Sequence, residues 1–438
     1  MNEETRKIDW VDGDNINEVM FCEEFLTDMP LKCINGKLFS VDGIVSDTEI
    51  ENIIYSRLKK VVNKNISKKV RQLIDVLKME CYSEELPIQD DRIHLKNGTY
   101  FLDGTFTEHK EFCINRLPVS YNPSASQPAV WLKFLADLLE IEDILTLQEF
   151  IGYCLIPTNK AQKLLLIIGK GGEGKSRVGL TLHSILGDNM NISSIQKIEH
   201  TRFARADLEH RLLMVDDDMK MEALKDTNYI KSIVTLEDKM DIERKGQQSV
   251  QGVLYVRFIC FGNGSLNALH DRSYGFYRRQ LILTTKDRPA DREDDPYLID
   301  KLRLEAESIL LWALEGLHRL INNNYKFTIS KRTAENLKIA MKSSNNIIAF
   351  MESEGYIRVE QKTMATSKDL YIAYQKWCDD NTEKPVAAKT FSSYLIENED
   401  YYGIKHSTNI PSSNGKKARG FTGVFVQTST SDYYKKYT

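Results

Sequence analysis

The tightest constraint on this chain is one octapeptide, Gly169-Lys170-Gly171-Gly172-Glu173-Gly174-Lys175-Ser176, of the form G-x-x-x-x-G-K-S. It follows directly on the apolar run 164–168 and leads into a segment of helical spacing from Arg177. Strand, glycine loop and helix in that order form a phosphate cradle. The glycines let backbone N–H groups turn inward, and the helix N-terminus adds a favourable dipole. Lys175 supplies a point charge to the β- and γ-phosphates, and the Ser176 hydroxyl is expected to hold Mg²⁺. The predicted nucleotide-binding set is therefore the octapeptide with Arg177, and ATP and Mg²⁺ are the predicted cofactors. A merely flexible glycine loop is the bland alternative.

Residues 160–290 alternate apolar runs with helical segments, the signature of an α/β domain with a largely parallel sheet. The run 212–215 ends in Asp216-Asp217-Asp218. One carboxylate is needed to hold Mg²⁺ through its water shell and a neighbour to polarise the attacking water. Asp216 is assigned to the metal together with Ser176, Asp217 to water activation, and Asp218 is an uncommitted third. The next run, 255–262, ends at Asn263, which can orient the water or the γ-phosphate; a routine turn former is the alternative. Further on, in a stretch that opens with Asp271-Arg272, Arg278 and Arg279 precede the apolar run 281–283. Either suits a finger that reaches a neighbouring subunit's nucleotide, an element worth about 10³–10⁵ in rate where it operates. A pair of surface arginines is the plainer reading.

The 438 residues leave room for two to four domains, and 42% hydrophobic with 28% charged residues is ordinary for a globular chain. A net charge of -4 argues against bulk coating of nucleic acid but allows local basic elements. The seven cysteines are scattered without a C-x-x-C pair, so reduced thiols are expected rather than a zinc ribbon or disulfide framework. The charged N-terminus lacks an apolar signal core and no run reaches membrane-span length, so a location in the cytoplasm is expected, with no membrane partner. Residues 50–76 carry apolar positions at helical spacing with a basic outer face. Short β-like runs over 93–122 are punctuated by Asn97-Gly98 and Asp103-Gly104, and helices are expected over 128–139 and 141–155. Residues 343–427 read as helix, helix, short helix and a basic glycine-containing hairpin, and 431–438 as a solvated tail.

With these segments in place the chain resembles the superfamily-3 helicases, in particular the helicase half of phage and plasmid primase-helicases and the poxvirus primase-helicase. The resemblance covers about 93–427 and includes the segment before the phosphate loop and the short intervals from Lys175 to Asp216 and on to Asn263. It implies an AAA+ core in which Asn263 is sensor 1 and Arg278 or Arg279 the finger, Arg279 matching the pattern more closely. Residues 231–246 look like the family's extra motif, which includes a hairpin that grips one DNA strand. There Arg244 and Lys245 are candidates for phosphate contact, while Leu236 and Glu237 stand where the family usually has glycines. The C-terminal segment resembles a winged helix: Lys389 on a recognition-type helix, and Lys416, Lys417 and Arg419 on the wing, are candidates for the DNA backbone.

The expected organisation is an N-terminal, mostly helical collar region (1–90), a pre-helicase α+β segment (91–159), the helicase domain (160–342) and a winged-helix domain (343–430). About 90 N-terminal residues without an acidic catalytic cluster are too few for a primase, since Asp12 and Asp14 form a lone pair in a turn. The resemblance implies a homo-hexameric, ATP-dependent DNA helicase of a phage or mobile element in a bacterial host cell. It would travel 3′→5′ on single-stranded DNA, with a separate primase or initiator as a further partner. An origin-binding initiator or helicase loader and a protein-remodelling ATPase are the rival readings.

Overall fold

The computed structural model describes residues 9–13, 15–220, 227–235, 238–264, 274–412 and 415–427. Asp14, Leu236, Glu237, Asp271, Arg272 and the tail 431–438 lie outside the described residues.

The centre is a five-stranded sheet of β1 (Leu164–Gly169), β2 (Met190–Ile192), β3 (Leu213–Met219), β4 (Arg257–Asn263) and β5 (Gln280–Thr284), every neighbouring pair parallel. The order is β2-β3-β4-β1-β5. Parallel strands are covered on both faces, which is why β1 is an unbroken apolar run rather than an alternating one. One hydrophobic core joins this sheet to the preceding segment: Ile93, Leu95, Trp131 and Phe150 pack in the same cluster as Leu165, Phe261 and Trp312. The expected helices before the loop form as Ala129–Leu138 and Ile141–Tyr153. The second crosses the helix Ala306–Asn322 at very close range. A side chain at Gly152 would overlap the Ala313 carbonyl, and one at Gly316 the Gln148 carbonyl, so backbone meets backbone there. Beside that crossing Glu149 is fully buried, and its carboxylate takes Arg319 Nε, Thr328 N–H and Thr328 Oγ1 at 2.6 Å each. Those bonds offset the cost of burying its charge.

Helix Ala129–Leu138 starts at Pro128, which has no side-chain acceptor to offer; the Glu305 carboxylate accepts from Val130 and Trp131 N–H instead, at 2.9 Å each. The N-terminal residues 9–82 have their own core around Phe21, Phe25, Leu38, Ile54 and Leu73. The region expected to be mostly helical carries three helices, Glu18–Asp28, Asp47–Leu58 and Ile66–Glu80. It also carries a three-stranded antiparallel meander over 32–45. Its strands are three or four residues long, too short to show a period of two.

A second unit includes residues 331–427. Helices Asn346–Met351, Ser367–Asp380 and Ala388–Glu397 pack on an antiparallel sheet whose order is Ile357–Thr366, Lys417–Val426, Lys405–Pro411. Aromatic stacking closes its core, with Tyr374 and Phe391 ring centroids 4.7 Å apart. Thr366 caps the helix Ser367–Asp380 by accepting from Asp369 N–H at 3.1 Å. Among the described residues no helix is long and apolar enough to cross a membrane. All seven cysteines are buried and unbridged.

Candidate functional site

At the C-terminal end of β1 the chain turns through Gly171, Gly172 and Gly174, whose φ angles of 111°, 82° and 104° lie in the left-handed region that L side chains avoid. Helix α1 (Lys175–Leu186) starts immediately, with Gly174 as its N-cap. The N–H groups of Lys175 and Ser176 therefore have no intrahelical acceptor and extend the loop's own donors into an anion cradle. Lys175 is only 6% exposed, and its Nζ lies 2.7 Å from Glu173 Oε2. Glu173 Oε1 accepts from the N–H groups of Lys170 (2.5 Å) and Gly171 (2.8 Å). Burial pushes the Glu173 carboxyl up, but Lys175 and the loop N–H groups outweigh it and hold it below the usual carboxylate range. Glu173, an unremarkable member of the loop in sequence, is thus its internal counter-ion. Ser176 is exposed and Arg177 half-buried at the start of α1. The exposed hydroxyl at a cradle of N–H donors and a buried ammonium fits a nucleotide phosphate with Mg²⁺.

Strand register sets what stands beside the cradle. Asn263 pairs with Gly169, and its Oδ1 would stand 3.8 Å from a Cβ at Gly171. Asp216 pairs with Cys260, which pairs with Leu166, three residues short of Gly169. Val215 packs toward α1, 3.4 Å from a Cβ at Gly179, so strand alternation turns Asp216 to the other face. There Asp216 is 4% exposed and accepts from Ile195 N–H at 2.7 Å and Asp218 N–H at 3.3 Å. Burial holds its carboxyl above the usual range against those two hydrogen bonds, and the Asp218 and Asp217 charges add to the rise. A bulge follows, between Asp216 and Met219, and Asp217 and Asp218 are exposed. The expected division of labour gave Asp216 the metal. In the structure each of its oxygens accepts one backbone N–H, and Asp217 and Asp218 are exposed.

Arg279 lies at the other end of the sheet. Leu164 N–H donates to the Arg279 carbonyl at 2.8 Å, at the foot of β1, and the seven residues from 163 to 169 span roughly 20 Å. Arg278 is exposed and Arg279 half-buried. Within one chain Arg279 is out of reach of the cradle. Two other arginines do reach it, and the sequence reading passed over both. Arg288 Nη1 donates to the Gly172 carbonyl at 3.2 Å, and Arg292 Nη1 to the Glu173 carbonyl at 3.0 Å. They sit in a run of charged residues that looks like a solvated loop. The available signal was topological: neighbouring parallel strands release their chains at the same sheet end.

Among the candidate DNA contacts, residues 240–252 form a hairpin, Met240–Ile242 pairing with Val250–Gly252; its first strand and Gly246 lie inside the 231–246 motif and its second strand lies beyond it. Lys245 is exposed at its tip beside Gly246, whose φ is 77°. Arg244 is instead held by Glu209 in a half-buried ion pair. In the second unit Lys389 is exposed in the first turn of its helix, and Lys416, Lys417 and Arg419 are exposed around the turn joining the last two strands.

Taken together, the fold is that of an α/β protein with a glycine loop at the C-terminal end of a five-stranded parallel sheet, compatible with a P-loop core. A family model described as "Family of unknown function (DUF5906)" matches residues 167–279, which run from β1 to the arginine pair. No curated protein matches the chain. Among solved structures, the apo structure of the NrS-1 C-terminal region (305–718) aligns with a TM-score of 0.52 at 12% identity, covering 94% of this chain and 100% of that one. The A form of the same region aligns with a TM-score of 0.55 at 12% identity, covering 93% and 99%. At such identity the likeness is one of fold, and it spans nearly the whole of both chains.

Proposed function

We propose that this chain is an ATP-hydrolysing DNA motor, the ring-forming replicative helicase of a phage or related mobile element. The observation that carries the reading is the cradle itself: three left-handed glycines, a buried Lys175 and the start of α1, with Asn263 in register beside the first glycine. In this reading Lys175 and the loop N–H groups bind the β- and γ-phosphates and Asn263 orients the attacking water. Asp217, with Asp218 beside it, takes the solvent-facing role, while Asp216 shapes the strand end through Ile195. Mg²⁺, when bound near Ser176, offsets charge on the transferring phosphoryl group. Because Arg279 stands a sheet length from its own cradle, a finger at this position is supplied by another copy of the chain, which supports a homo-oligomer; six copies is what the helicase resemblance implies. Lys245 at the hairpin tip is the strand-gripping cation, ahead of Arg244, which Glu209 already holds.

The second reading, an origin-binding initiator, draws on the exposed Lys389, Lys416, Lys417 and Arg419 of the second unit. Strand displacement on forked DNA, with each single-stranded tail present in turn, separates the two. The helicase reading expects ATP-dependent unwinding that requires one tail. Tight sequence-specific duplex binding without unwinding would move the assignment to the initiator, and hydrolysis indifferent to DNA would discard both.

A further inference from the structure

The octapeptide supplies only part of the cradle; the segment after β5 supplies another wall. Thr284 pairs with Ile168, and Thr285 N–H donates to the Ile168 carbonyl at 2.9 Å, so β1 and β5 deliver their chains to one place. Residues 285–295 then run along the loop and touch it at three points. The Lys170–Asp287 pair, at 2.8 Å, is almost fully exposed and contributes little. The other two contacts differ in kind, because Arg288 and Arg292 end on the carbonyls of Gly172 and Glu173. A peptide unit is planar and trans, so its carbonyl and the next residue's N–H point in opposite directions. A guanidinium that fixes the Gly172 carbonyl fixes the Glu173 N–H, and one that fixes the Glu173 carbonyl fixes the Gly174 N–H. Arg288 is itself oriented: its Nη2 donates to Asp294 at 3.1 Å and to the Arg292 carbonyl at 3.2 Å.

We infer that Arg288 and Arg292 are positioning residues for nucleotide binding, which hold two loop carbonyls outward and so keep the N–H groups of Glu173 and Gly174 turned into the phosphate cradle. The inference rests on the nucleotide reading of that cradle. It gives the two arginines a role in the ground state: two N–H groups of the cradle are set before the nucleotide arrives, which lowers the cost of ordering the loop on binding.

The test measures binding of a fluorescent ATP analogue and steady-state hydrolysis for the full chain and for Arg292→Ala, Arg292→Lys and Arg288→Ala. Arg292→Ala is expected to raise both Kd and KM about tenfold, with kcat at saturating ATP changed less than about twofold. Arg292→Lys recovers most of that loss, since an ammonium still donates to the Glu173 carbonyl, and Arg288→Ala costs about three- to fivefold. Thermal unfolding without nucleotide reports whether each variant is folded. Should Arg292→Ala not fold, Arg292→Gln, which keeps a side-chain N–H donor, carries the comparison together with Arg288→Ala. Variants that bind nucleotide as tightly as the parent chain, or that lose kcat with KM unchanged, overturn the positioning role. A parent chain that binds no ATP overturns the nucleotide reading beneath it.

Discussion

The phosphate loop and the tip of the 240–252 hairpin are both read as meeting phosphate, one on a nucleotide and one on a DNA strand, yet they are built in opposite ways. In the loop nearly every position is committed. Glycines occupy left-handed backbone, Lys175 is buried against Glu173, and two carbonyls are tied to Arg288 and Arg292. At the hairpin tip Lys245 is exposed and Gly246 has open space around it. A ligand held by backbone N–H groups demands a fixed backbone, and that demand is legible in glycine spacing. A ligand that slides past demands only charge, and an exposed lysine serving it looks like any solvated lysine.

The largest expected effect tests the fixed end of this contrast. Lys175→Ala should lower ATP hydrolysis by about a thousandfold, measured as steady-state phosphate release. A rate within tenfold of the parent would break the comparison, since the loop would then not be where phosphate is split. Next is the exposed end. Lys245→Ala should reduce DNA-stimulated hydrolysis and unwinding about tenfold, while the DNA-free rate stays within about twofold. Arg244→Ala should instead cost about 0.5–1 kcal/mol of stability through the lost Glu209 pair, a figure kept small because the pair is partly exposed. If Arg244→Ala removed DNA stimulation as fully as Lys245→Ala, the two residues would have to exchange roles. The smallest effect sharpens the comparison in the second unit. Alanine at Lys416, Lys417 or Arg419 should each weaken DNA binding only a few-fold and lower the slope of log affinity against log salt by about one. A triple variant with an unchanged slope would take that turn off the DNA.

What the sequence made visible follows the same division. The strands β1, β3, β4 and β5 lie where the apolar runs were, and the helices Ser367–Asp380 and Ala388–Glu397 form where expected, while the hairpin at 240–252 runs six residues past the 231–246 motif. The strand Ile357–Thr366 was not foreseen: six of its first seven residues are not buried, so it has no alternation to read. The facing of Asp216 depends on which residue of the strand points at α1, and the exposure of Asp217 and Asp218 on the bulge after it, neither of which three consecutive aspartates convey. Arg288 and Arg292 escaped for a related reason. Their partners are carbonyl oxygens more than a hundred residues earlier, and a carbonyl leaves no mark in the choice of residue type.

The borrowed cap of the helix Ala129–Leu138 bears on how the chain is made. Val130 and Trp131 wait for a carboxylate 175 and 174 residues further along, and Trp131 packs edge-on against Trp312, 5.7 Å between ring centroids. At roughly 5–20 residues per second on a ribosome, that partner emerges on the order of ten to thirty seconds later. During this interval the newborn N-terminal module, with its separate core, can close, while the apolar face of the nascent central domain stays uncovered and open to chaperones.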